Sequence, residues 1–224
     1  GAQLRPTLYD FIAFEALQFY AAEQQITRSQ DAFTIRSDSP IFSATADFLN
    51  WVPDTEDNDA LSLRAIQIFQ QLLKFHQPDA DQSAFLDANL GRLRFGRRLT
   101  EGSESVARYQ ASLRRFADEH VSHPLSSWAL ANLAQSLQAA NDLVKAQKIA
   151  AEGQARFPQS TGGKICHNII AIIETSRLEV TAAHVWNGAD AKVDVEYCNV
   201  DKIHFRLVEF DFANWPEWGK HRSF

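Results

Sequence analysis

The feature that most constrains this chain is a single change of hydrophobic period near residue 176. Before it, apolar residues recur at spacings of three and four, and after it they alternate with polar ones. A period near 3.6 lays an apolar stripe along a helix, and a period of two lays an apolar face along a strand. A chain that switches once between them folds as two successive parts. We therefore expect a mainly α protein: a helical domain over 1–176, then a small antiparallel β segment over 177–224. With 224 residues the chain can bury a core without staples.

The first helix should run from Pro6 to about Gln24. Proline suits a first helical turn, and Leu8, Phe11, Ile12, Leu17 and Phe19, widened by Tyr9, Phe14 and Tyr20, suit a helix packed into a core on most sides. Residues 25–40 lack a period and read as a long connection. A short helix is expected at about 41–51, then an acidic loop, 53–59, whose last residues can cap the next helix at about 59–76. Further helices are expected over 82–99 and 103–120.

Pro124 and Pro158 lie 34 residues apart, and Ser126 and Ser160 repeat the offset. That is the period of the tetratricopeptide repeat. In its register Leu130, Leu133, Ala134 and Leu137 fall on a first helix and Ala146, Ala150 and Gly153 on a second, with Asn141 and Asp142 in the turn. The preceding unit keeps Ser112, Phe116 and Pro124 but has an irregular first helix. We expect tetratricopeptide-like hairpin repeats, an unrelated pair of helical hairpins being the alternative. The repeat's inner face would carry Trp128, Ala131, Gln135 and Gln138, the candidate protein-binding residues. None is charged, which disfavours a clamp for peptide carboxylates.

After residue 176, Leu178 to Val185 reads as a strand closed by Asn187-Gly188. Val193, Val195 and Tyr197 read as another, and Ile203, Phe205 and Leu207 as a third, with Asn199 to Asp201 linking the last two as a hairpin. Three strands leave one face uncovered, and Phe210, Phe212, Trp215 and Trp218 add apolar surface. We expect the opening of a β-sandwich domain that continues elsewhere.

Several segments resemble the N-terminal region of large bacterial alpha-2-macroglobulin-like proteins of the Bacteroides type. These are PTLYDFIAFEALQFY, ALSLRAIQIFQQLLKFH followed by DANLGRLRF, and VEYCNVDKIHFRLVEFD. The resemblance implies a helical N-terminal module of a protease trap, exported and lipid-anchored in the cell envelope. Its partners would be other domains of the same long chain and, through the parent, proteases. The family's Cys-Gly-Glu-Gln thioester motif is not present: Cys166 precedes His167-Asn168, and Cys198 precedes Asn199-Val200. The module is therefore expected to be non-catalytic and without a cofactor. A stand-alone tetratricopeptide-like protein- or peptide-binding module is the alternative.

The net charge of −6 argues against nucleic acid, which requires a basic face. The longest apolar run, Ile169 to Ile173, is far short of the roughly 20 residues of a membrane span. No signal peptide is visible, but Gly1 resembles a residue left by tag removal and methionine is absent, so an excised piece of a longer protein is expected. The two cysteines are expected to be buried thiols, unpaired unless their Cα atoms come within disulfide reach.

Other constellations are weaker. His120 and His123 share a spacing that suits metal ligands but straddle a helix end without a third ligand. His184 and His204 read as surface strand residues. Thr161-Gly162-Gly163-Lys164 lacks the first glycine of a phosphate loop and reads as a helix start whose glycines allow close packing. Glu101, Glu104, Asp118 and Glu119 form no protected carboxylate pair. Arg92, Arg94, Arg97 and Arg98 form a basic cluster, of which Arg94, Arg97 and Arg98 share a helical face that would meet solvent or an acidic partner.

Overall fold

The computed structural model describes residues 4–27, 35–58, 60–182 and 192–206; of residues 21–27 it describes the backbone alone. Among these residues the chain is mainly helical, with α1 (Leu8–Thr27), α2 (Thr45–Asn50), α3 (Leu61–His76), α4 (Ser83–Leu99), α5 (Ser103–Glu119), α6 (Leu125–Ala139), α7 (Leu143–Arg156) and α8 (Thr161–Glu174). A single 3₁₀ turn, Pro40–Phe42, precedes α2. Two strands follow, β1 (Arg177–Ala182) and β2 (Val193–Cys198), paired antiparallel. The chain divides into two compact units, Gly1–Ile173 and Glu174–Phe224, close to the boundary that the change of period suggests.

In the first unit, successive helices from α3 to α7 pack on one another and α1 lies on α3. Phe48, Ile66, Leu72, Leu73, Leu90, Leu93, Leu113 and Leu130 are fully buried between them. The start of α1 is set by a capping box rather than by Pro6. The Thr7 N–H donates to Asp10 Oδ2 at 2.8 Å, and the Asp10 N–H donates back to Thr7 Oγ1 at 3.2 Å. Nor is α1 buried all round. Ala13 and Leu17 face the core, whereas Leu8, Phe11, Ile12 and Phe19 are exposed. The expected acidic cap of α3 is also corrected: its N-cap is Ala60, with no side-chain hydrogen bond; Asp59 lies outside the described residues. Gln70 of α3 instead ties the end of α2, donating to the carbonyls of Phe48 and Trp51 at 2.8 Å each.

The small residues of α6, α7 and α8 govern how closely these helices approach. Ala131, Ala134, Ala146 and Ala150 are all buried without residual exposure. At Gly153 an added Cβ would stand 2.6 Å from Cys166 Sγ. At Gly162 and Gly163 it would run into backbone, of Ser127–Trp128 and Phe157–Pro158 respectively. The Thr161-Gly162-Gly163 run is thus a helix start built for contact. Ser160 caps it by accepting from the Gly163 N–H at 3.0 Å. The turn between α6 and α7 closes through Asn141 at φ 59°, a conformation Asn tolerates, and Asp142 Oδ1 accepts from the Lys145 N–H.

In the second unit, Leu178 pairs with Tyr197 and Val180 with Val195. This corrects the expected hairpin across Asn199 to Asp201: β2 pairs with β1, and residues 203–206 are not in a strand. The local reason is at Asn199, which turns at φ 53°. Its Nδ2 donates to the Thr175 carbonyl at 3.3 Å, while Ser176 Oγ donates to the Asn199 carbonyl at 2.7 Å. The end of β2 is thereby fastened to the start of β1. His184, Asn187-Gly188, Leu207 and the aromatic residues Phe210, Phe212, Trp215 and Trp218 lie outside the described residues.

Candidate functional site

Two groups of residues singled out in the sequence come together in the first unit. Arg94, Arg97 and Arg98 of α4 share a face, as their spacing requires. That face lines a cleft of about 680 Å³ together with Arg5, Phe14, Leu17 and Gln18 from the N-terminal segment, Phe69 of α3, Gly91 and Phe95 of α4, Tyr109 of α5 and Asn132 of α6. Trp128 stands beside it: the Arg94 guanidinium lies over the Trp128 ring, 5.4 Å from its centroid. The Asn132 amide donates to the Trp128 carbonyl at 2.8 Å.

The floor is apolar. Leu17, Phe69, Phe95 and Tyr109 are buried, and the rings of Phe69 and Phe95 are tilted against each other at 5.5 Å. The rim is cationic. Arg5, Arg94 and Arg98 are exposed and Arg97 is half-buried. Arg5 covers the Phe14 ring at 3.7 Å and meets Asp87 Oδ2 at 3.4 Å, and Arg98 lies 6.0 Å from the Phe95 ring. Burial, then the neighbouring Arg94, pulls the Arg98 pKa below its usual value. Burial pushes the Tyr109 hydroxyl up to about 12, so it stays protonated.

The other candidate groove residues divide. Ala131 is fully buried, packed with Ala134, Ala150, Cys166 and Ile169, so it supports the helices and offers nothing to a partner. Gln135 is exposed and Gln138 half-buried. The expectation that the Trp128 surface lacks cationic donors is corrected: α4 brings them. Arg92, however, leaves the basic cluster. It is 1% exposed, lies against Phe48 with its guanidinium 4.5 Å from the ring centroid, and donates from Nη2 to the Ser43 carbonyl at 3.2 Å. Burial, then Arg115, pulls its pKa down to about 9.

The position of α1, which closes one side of the cleft, depends on residues the sequence did not single out. His76 Nε2 meets Asp10 Oδ1 at 2.5 Å and Nδ1 meets Asp79 Oδ2 at 2.7 Å. Burial pulls the imidazole pKa down, but the two carboxylates outweigh it and hold it above its ordinary value. The T-x-x-D spacing of Thr7 and Asp10 was the one readable signal.

The remaining candidates have structural roles. His123 Nδ1 accepts from the Leu125 N–H at 3.2 Å, so its Nε2 carries the proton that goes to Ser83 Oγ at 3.1 Å. The His120 ring meets the Phe116 edge. No group of three or more His, Cys, Asp or Glu among the described residues could hold a metal. Both cysteines are free. Cys166 is buried, which pushes its thiol up to about 11, whereas Cys198 is only half-buried, a correction to the expectation of two buried thiols. Among the described residues no helix is long and apolar enough to cross a membrane.

Comparison of the chain with protein-family models, with curated proteins and with solved structures gives no match.

Proposed function

We propose that this chain is a non-catalytic helical module of a larger protein, the N-terminal module of an alpha-2-macroglobulin-like envelope protein, where it positions protease-trapping β domains. One observation supports this reading above the others. The β1–β2 ribbon places Leu178, Val180, Ala182, Val193, Val195 and Tyr197 on one face and Arg177, Glu179, Thr181, Asp194, Glu196 and Cys198 on the other. On the apolar face Leu178, Val180, Val193 and Tyr197 are each at least 44% exposed. A two-stranded ribbon is marginal in water by itself, and an apolar sheet face needs a second layer. In the proposed parent, that layer is the rest of a macroglobulin-type sandwich. The test is an antibody raised against this chain and used on cell-envelope extract. A band several times heavier than a 224-residue chain supports the reading, and a band at that size refutes it.

A stand-alone tetratricopeptide-like binding module is the second reading. The close contacts at Ala146, Ala150 and Gly153, in the slots that a 34-residue period assigns to small residues, favour it. On this reading Trp128 is a contact residue, and Trp128→Ala weakens peptide binding while the first unit stays folded.

A further inference from the structure

We propose that the cleft bounded by α1, α3, α4, α5 and α6 binds a small aromatic anion, a flat ring carrying a carboxylate or a phosphate. The volume of about 680 Å³ is that of a small-molecule site. The two halves of the cleft select the two halves of such a ligand. Phe69, Phe95, Tyr109 and Leu17 form a floor for an apolar ring. Arg5, Arg94, Arg97 and Arg98 bring planar guanidinium groups to the rim, a group type suited to carboxylate or phosphate; Arg5 also meets Asp87, and Arg97 Nη1 donates to the Thr100 carbonyl at 3.1 Å.

Charge makes the case stronger. None of the described lining residues is acidic, so the wall gathers four cations on a protein whose net charge is −6. Arg5 is the rim cation that Asp87 meets, at 3.4 Å. Clustered like charge above a low-dielectric floor concentrates anions at that spot. The cations are also partly ordered in advance, since Arg5, Arg94 and Arg98 each rest on an aromatic ring, which lowers the entropy lost on binding. Gln18 and Asn132 add neutral amides at the edge that can orient the ligand.

The experiment is titration calorimetry on the full chain with four probes: phenyl phosphate, hydrocinnamate, inorganic phosphate and benzyl alcohol. We expect an aromatic anion to bind at least about tenfold more tightly than either inorganic phosphate or benzyl alcohol, because only it uses both floor and rim. A preference for phenyl phosphate assigns a phosphate ligand, and a preference for hydrocinnamate a carboxylate. The double variant Arg94→Gln/Arg98→Gln should weaken that binding at least about tenfold. Gln18→Glu, which sets a competing carboxylate in the cleft from an exposed helical position, should weaken it as well. The proposal is overturned if the aromatic anions bind no better than the two simpler probes, or if either variant, folded by circular dichroism, binds them as the unaltered chain does.

Discussion

Gly153→Ala tests how α6, α7 and α8 are held together. By helix propensity alone the substitution should stabilise α7 by about 1 kcal/mol, because glycine in a helix interior is costly. The packing reverses the sign. The new Cβ would stand 2.6 Å from Cys166 Sγ and 3.0 Å from Leu130 Cβ. Neither neighbour can move away freely: Cys166 and Leu130 are both fully buried. Overpacking of this kind costs about 1–3 kcal/mol. Subtracting the propensity gain leaves a net loss of about 1 kcal/mol, or a fall of about 2–4 °C in the melting midpoint for a domain of this size. Urea unfolding followed by circular dichroism measures it. The decisive arm is Cys166→Ala, which removes the clashing sulfur. In that background Gly153→Ala should become neutral or stabilising, with a coupling of about 1–2 kcal/mol between the positions. If Gly153→Ala stabilises the chain with Cys166 in place, or if the two effects add within about 0.5 kcal/mol, the contact does not set the helix spacing.

Gly162→Ala should be worse than Gly153→Ala, by about 3 kcal/mol or more, because its obstacle is the backbone of Ser127 and Trp128 rather than a side chain; comparison of the two urea midpoints checks the order. His76 and Asp10 should give stability a plateau in pH. The His76 pKa is raised in the fold, so its contribution is complete below its ordinary 6.5 and is lost as pH climbs through the raised value. The Asp10 pKa is lowered, burial being outweighed by hydrogen bonds from His76 and Thr7, so its contribution is complete above 3.8 and is lost as pH falls through the lowered value. His76→Gln should flatten the alkaline fall in a series of thermal melts, and an unchanged fall would assign it to other groups. A fragment of residues 1–173 should melt in one cooperative transition near that of the full chain, and broad melting by calorimetry would contradict the division into units.

The helical half was readable because its signals are local. The periodicity of Leu61, Ile66, Phe69, Leu72 and Leu73 is enough to place α3, and the small residues at Ala146, Ala150 and Gly153 are enough to mark a close helix approach. The β pairing was not readable in the same way. Alternation identifies 193–198 as a strand but says nothing of which neighbour it joins, since both flanking segments alternate. The choice falls to Asn199, whose amide reaches back to Thr175 over 24 residues of sequence. For α1 the misreading has a different cause. Its apolar residues do not form one stripe, and burial goes to Ala13 and Leu17 while Phe11 and Ile12 face outward. The helix is held down as much by Asp10 on His76, a contact between residues 66 apart, as by its apolar face.

The same distinction explains what the sequence held of the cleft. One turn of helix is 3.6 residues, so Arg94 and Arg98 lie within about 40° of each other, and Arg92 lies about 200° from Arg94. That arithmetic already separates Arg92 from the others, and a charge on the core side of an amphipathic helix must desolvate. Its hydrogen bond to the Ser43 carbonyl and its place over Phe48 are the result. The composition of the other face was a further signal. Gly91 and Phe95 sit between arginines there, where a solvated face would carry no buried ring. What no local rule supplies is the opposite wall. Phe14, Tyr109 and Asn132 reach the cleft from three other helices, and α1 is held there by Asp10 on His76 together with the buried Ala13 and Leu17. The anion-binding rim is therefore coupled to the docking of α1: weakening the Asp10–His76 contact at high pH should loosen the wall that carries Arg5 and Phe14, and binding of an aromatic anion should weaken over the same pH range in which His76 loses its proton.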